Sequence, residues 1–194
     1  MKQPSTADRR VQRTRASLRQ ALVELLAERG WDGFSVQDVC DRANVGRSTF
    51  YTHFADKEEL VAGSFDDLRR ALRAGLPAPT RGPRRPLAFT RGLIEHGLEQ
   101  RRVFLAIVGK RSGLVVQRRF RDLVLGLVRE DLAAGPAGVV PREAVVAFVG
   151  GALLEVLTWA LEAKGTPDAA ELDALFHRLV APVLVEAGVL PGVV

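Results

Sequence analysis

The residues best equipped for chemistry sit close together in this 194-residue chain. Arg47, Ser48, Thr49, Tyr51, Thr52 and His53 follow one another with only Phe50 between them, and no acid stands among them. Such side chains donate to phosphate oxygens and to base edges. An ordinary solvated helix mixes glutamate with lysine, and this run does not. Phe50 and Phe54 are four apart, so a helix over Arg47 to Phe54 buries both on one face. The polar residues are left to point outward or sideways.

The stretch before it supplies a frame. Ser35 can cap a helix by accepting a bond from a free N–H of the first turn. Val36, Val39, Cys40 and Ala43 have the spacing of a buried helical face. Asn44-Val45-Gly46 reads as a tight turn, with Asn suited to a left-handed helix end. Two short helices with a turn between them make a helix-turn-helix, whose second helix is shaped to enter a DNA major groove.

The ordered run from Leu22 to Leu60 resembles the DNA-binding domain of TetR-type transcriptional regulators. The resemblance rests on Glu28-Arg29-Gly30-Trp31, Ser35-Val36, Ala43-Asn44-Val45, Ser48-Thr49-Phe50-Tyr51, His53-Phe54 and Lys57-Glu58-Glu59-Leu60. It covers roughly residues 10 to 60; the rest is similar only in length and helical layout. Asn44 stands where Gly is usual, and Gly46 where a Ser often caps the recognition helix. Gly as a cap costs only a few tenths of a kcal/mol.

The resemblance implies DNA contacts at the matching positions Ser35, Arg47, Ser48, Thr49, Tyr51, Thr52, His53 and Lys57. Arg47, Ser48, Thr49 and Thr52 are expected to approach bases, and Tyr51, His53 and Lys57 to contact phosphates. It also implies a homodimeric repressor released from its operator by a small molecule that shifts the fourth helix. Heads of this motif class read half-sites about 34–36 Å apart. The alternative is a helical sensing or interaction protein without sequence-specific DNA binding.

The whole chain bounds these readings. It is 47% hydrophobic and 26% charged, which suits a globular protein with a real core. Its single Cys, Cys40, allows no disulfide within the chain, so a reducing cytoplasm is expected. No apolar run reaches eighteen residues, so no membrane span is expected. The three histidines, His53, His96 and His177, lack metal spacing, and no phosphate loop or nucleophile elbow is present. No metal, cofactor or enzymatic role is expected. The net charge of +5 is uneven: residues 69–129 hold fifteen bases and three acids, and residues 130–194 hold three bases and nine acids.

Periodicity predicts an all-α fold of about nine helices. Residues 1–56 form the helix-turn-helix head, 57–74 a connecting helix capped by Asp56, and 87–194 a helical effector-binding and dimerisation body. The first helix, about Arg9 to Arg29, has a buried stripe of Val11, Leu18, Leu22, Leu25 and Leu26. Helices follow over Pro86–Gln100, Arg101–Lys110, Ser112–Ala133, Arg142–Lys164 and Ala169 to about Ala187, separated by Gly- and Pro-rich breaks at 75–86 and 135–141. The last carries an apolar side of Leu172, Leu175, Phe176, Leu179 and Val183, and Pro182 is expected to weaken its end. Between Ala144 and Leu161 there is one charge, Glu155. A helix apolar nearly all round must be covered on both sides, and a second copy of the chain is the simplest cover. An effector pocket is expected among Phe89, Leu93, His96, Phe104, Val108, Val116 and Phe120, which supply a mostly apolar lining. Arg118 or Arg121, turned inward, would favour an anionic ligand end.

Overall fold

A computed structural model of the chain describes residues 6–76, 85–108, 113–133, 140–165 and 168–191. Among these residues there are nine α-helices and no strand: α1 (Thr6–Arg29), α2 (Val36–Ala43), α3 (Arg47–His53), α4 (Lys57–Ala74), α5 (Thr90–Glu99), α6 (Arg101–Val108), α7 (Gly113–Leu132), α8 (Arg142–Glu162) and α9 (Ala169–Glu186). A single 3-10 turn, Trp31–Gly33, joins α1 to α2. The expected all-α class is the one observed. Most of residues 75–86 and 135–141, read as breaks, lies outside the described residues.

Helices α1 to α3 form the head. Leu18, Ala21, Leu22, Leu25 and Leu26 of α1 are buried, and Gly30 ends the helix with φ 74°. Val11, expected in the same stripe, is 40% exposed; burial on α1 begins only at Leu18. The core does not stop at the head. Leu22 and Phe50 belong to the same cluster of buried residues as Phe104, Leu127, Leu153 and Phe176. α1 packs against α6, and the Trp31 turn packs against α7. Gly113 is required at that second contact. Its φ is +71°, and a Cβ there would run into the Trp31 indole.

α8 is the centre of the body, with α5, α6, α7 and α9 packed around it. By length and composition alone it is apolar enough to cross a bilayer. Here Val145, Val146, Val149, Leu153, Leu157 and Leu161 face the body's core. The opposite side leaves Phe148 54% and Trp159 58% exposed. On α9 the buried register is Leu172, Asp173, Phe176, Val180 and Leu184. This corrects the expected stripe, in which Leu179 was inward; it is 58% exposed. Both registers are apolar enough to be buried, and packing on α5 and α8 selects between them. Pro182 is accommodated, and the helix runs on to Glu186.

Part of the basic middle of the chain meets the acidic end. Arg69 on α4 pairs with Glu130 at 3.0 Å, and Arg73 pairs with Glu130 and Asp131 at 2.7 and 2.5 Å. Arg73 also donates to the Leu127 carbonyl, which ties α4 along α7. Arg129 reaches Glu143, and Arg101 donates to the carbonyls of Leu161 and Ala163, capping the end of α8. Arg118 and Arg121 are exposed, so neither makes the inward turn that would favour an anionic ligand. They lie on the face of α7 opposite Val116, Phe120 and Leu123, which the core occupies.

Candidate functional site

The helix-turn-helix is held by local bonds. Ser35 and Asp38 form a reciprocal capping box at the start of α2. The Ser35 N–H and hydroxyl both donate to Asp38 Oδ2, at 2.8 and 2.6 Å, and Ser35 Oγ accepts from the Asp38 N–H. These bonds, with Arg29 beside it, hold the Asp38 carboxyl down at a pKa of about 2. Asn44 closes α2 in the left-handed region at φ 52°. Arg42 of α2 clamps back onto α1 through a bidentate pair with Glu28 at 3.0 and 2.8 Å, joined by Glu24 at 3.2 Å. Arg42 therefore ties α2 to α1 at the surface above their buried contact, a role sequence reading missed. The signal was an arginine among the exposed positions of an otherwise acidic α2 surface.

α3 starts at Gly46 without a side-chain cap. Phe50 and Phe54 are buried and lie 5.9 Å apart, so the helix is anchored by two rings. Arg15 and Arg19 of α1 lie over the Phe54 ring at 5.2 and 6.0 Å. Arg47, Ser48, Thr49, Tyr51 and Thr52 are exposed, Tyr51 at 49%. Arg47 donates to Tyr51 Oη at 3.4 Å and lies over its ring, which holds the guanidinium in its charged form. The Thr52 hydroxyl donates to the Ser48 carbonyl at 3.0 Å, which leaves its oxygen free to accept. His53 is half-buried beside Phe54.

Two of the eight expected contact residues, Ser35 and Lys57, lie outside α3 and are engaged within the head. Ser35 is engaged in its capping box. The Lys57 ammonium donates to the carbonyls of Trp31 and Phe34, at 2.6 and 2.8 Å, between their rings at 4.1 and 4.4 Å. Burial there pulls its pKa below the ordinary lysine value. In this structure Lys57 pins the turn between α1 and α2 to the start of α4, and only one of its three N–H donors is left over. Asp56 caps α4 through the Glu59 N–H at 2.7 Å, as its place in the sequence suggests.

The seven residues expected to line an effector pocket do come together, but as packing. Phe89, Leu93, Phe104, Val116 and Phe120 are no more than 2% exposed. Phe104 meets Phe120 edge-on at 5.4 Å, and His96 meets Phe104 at 5.6 Å. Val108 is half-buried against the same core. Burial pulls His96 below the ordinary histidine pKa. A groove of about 890 Å³ lies elsewhere, along α9 between the end of α8 and the lead-in to α5. Arg85, Trp159, Leu172, His177, Arg178 and Leu190 line it, and none of the seven does.

Residues 18–63 match the family model described as bacterial regulatory proteins, tetR family. Over 55 residues the chain is 46% identical to YxbF, an uncharacterized HTH-type transcriptional regulator of Bacillus subtilis (strain 168); the match takes in 28% of this chain and 14% of that protein. Over 70 residues it is 37% identical to the HTH-type transcriptional repressor DhaR of Mycobacterium sp. (strain GP1), covering 32% of this chain and 35% of that one. The match thus spans about a third or less of either curated relative. The likeness to a TetR transcriptional regulator from Streptococcus agalactiae 2603V extends through the body, with a TM-score of 0.65, 26% identity, and coverage of 90% of this chain and 97% of the other. Residues 18–63 are thus similar to the DNA-binding domain of TetR-type regulators, and the chain as a whole shares the fold of a TetR transcriptional regulator.

Proposed function

We propose that the chain is a homodimeric DNA-binding repressor that leaves its operator when a small molecule binds. The observation that carries the reading is the exposed side of α3, which has donors and no acid and is held rigid by two buried rings. Arg47, Ser48, Thr49 and Thr52 approach base edges. Tyr51 and His53 contact phosphates. Lys57 acts by holding the Trp31 turn in register rather than by touching a phosphate. DhaR, a repressor by name, supports the sense of regulation.

The exposed apolar residues Phe148, Trp159 and Leu179 support pairing of two copies through α8 and α9. The division of labour follows the chain: residues 1–56 read DNA, 57–74 transmit, and 87–194 pair and bind ligand in the cytoplasm. Footprinting on the DNA flanking its own gene tests the reading. Two protected half-sites one helical turn apart are expected. Binding that is equal on all sequences would leave only the sensing role.

A further inference from the structure

The hydroxyl of Thr90, wholly buried at the start of α5, is satisfied from within the chain: it lies 2.8 Å from the Leu87 carbonyl and 2.5 Å from Asp173 Oδ1. Arg47 is the opposite case. It is exposed, and among the described residues the only hydrogen-bond partner of its guanidinium is Tyr51. No carboxylate pairs with it. As the first residue of α3 it stands where the peptide dipoles favour an anion, so its charge does nothing for the helix.

Tyr51 sets where that guanidinium stands. Its ring meets the buried Phe50 ring edge-on at 5.4 Å, which ties it to the core of the head. The Arg47 guanidinium lies 5.7 Å from the centre of the Tyr51 ring, and its Nη2 donates to Tyr51 Oη at 3.4 Å. The phenol oxygen accepts there, so its own proton stays available for a phosphate. A guanidinium has five N–H donors and no acceptor. One is used on Tyr51, and the others remain in a planar fork.

Base-edge chemistry decides what such a fork can read. In the major groove guanine alone presents two adjacent acceptors, O6 and N7. Adenine sets an acceptor beside a donor, thymine an acceptor beside a methyl, and cytosine shows a donor. Residues at the start of a recognition helix are the ones that reach base edges. An arginine that swings freely loses rotamer freedom when it engages a base, and contact with the Tyr51 ring removes part of that loss in advance.

We propose that Arg47 reads a guanine in the operator and that Tyr51 is the positioning residue that holds it to that base. The proposal rests on α3 being the DNA-reading surface and deepens that reading by naming the base.

The test is selection from a random duplex library by the full chain, as wild type, Arg47→Ala and Tyr51→Phe, followed by titration of the selected duplex. Wild type is expected to enrich a site holding guanine at the position where Arg47→Ala loses its preference. Replacing that guanine by 7-deazaguanine, which lacks the N7 acceptor, should weaken wild-type binding about tenfold and leave Arg47→Ala unmoved. Tyr51→Phe keeps the ring and loses the hydroxyl; it should cut the ratio between the two duplexes by about threefold. A phosphate contact alone would weaken both duplexes alike and leave the ratio as it was. Both positions are exposed, and circular dichroism checks that the variants fold. Failure of wild type to enrich any site would sink the reading of α3 itself, and the proposal with it. A site whose preferences Arg47→Ala leaves intact, a lost base other than guanine, or an unchanged ratio in Tyr51→Phe would overturn the proposal while leaving DNA binding in place.

Discussion

The exposed sides of α3 and α8 are opposites. α3 shows solvent a row of donors with no acid, and α8 shows it carbon, with Phe148 and Trp159 more than half exposed. Neither is the mixed surface that water alone asks for. A face of donors without acceptors is completed by something rich in acceptors, and a face of carbon by another of its kind. The two ends of the molecule are therefore incomplete in different currencies, and each should fail in its own way.

The largest effect is expected from Phe50→Ala, which removes a fully buried ring beneath the donor row. The cost should be about 3–5 kcal/mol. Because the core runs unbroken from head to body, urea melting should show one transition shifted down. Two separated transitions would mean that the halves fold independently. Leu179→Glu comes next. It places a charge on the apolar side of α9 while sparing the core, and should weaken pairing by about 2 kcal/mol or more. Light scattering at micromolar concentration should then give a monomer mass with unchanged helicity; an unaffected mass would put the pairing face elsewhere.

A pair of head variants sharpens the comparison. Arg47→Ala should relax base preference by about 1–3 kcal/mol at one position. Lys57→Ala leaves the Trp31 and Phe34 carbonyls without their donor and should cost about 1–3 kcal/mol in stability. Its affinity loss should be alike on all sequences, with little change in salt dependence. A salt slope flatter by about one unit would instead assign Lys57 to a phosphate.

Much of the head was legible because its partners are near in sequence. Ser35 and Asp38 are three apart, Phe50 and Phe54 four, and Asn44 carries its left-handed tendency by itself. The body was legible only as a set of helices. Which apolar register of α9 turns inward depends on α5 and α8, so Leu179 and Asp173 could not be placed from spacing. Phe89, Phe104 and Phe120 read equally well as lining or as packing, and only their mutual contacts show the packing. Lys57 looked like a phosphate ligand because nothing local reveals that two carbonyls more than twenty residues upstream claim it.

The smallest effect is expected from Ser35→Ala, about 0.5–2 kcal/mol. It carries a pH signature. Asp38 titrates near 2 when folded, below its ordinary 3.8. A depressed carboxylate stabilises the fold above its ordinary value, and that contribution is lost as pH falls from 3.8 through about 2. Ser35→Ala should flatten acid unfolding in that window, followed by circular dichroism. An unchanged acid limb would show that the capping box does not hold Asp38.

The bond between Thr90 and Asp173 joins residues 83 apart, and this bears on how the chain is born. During synthesis α5 emerges well before α9, so Thr90 waits for its partner. Closing so long a loop is slow compared with gathering α1 to α3. A nascent chain would therefore carry an assembled head while the side of α8 that α9 covers is still bare. Refolding should show the same order, with early helix formation around Phe50 and a late phase set by the docking of α9.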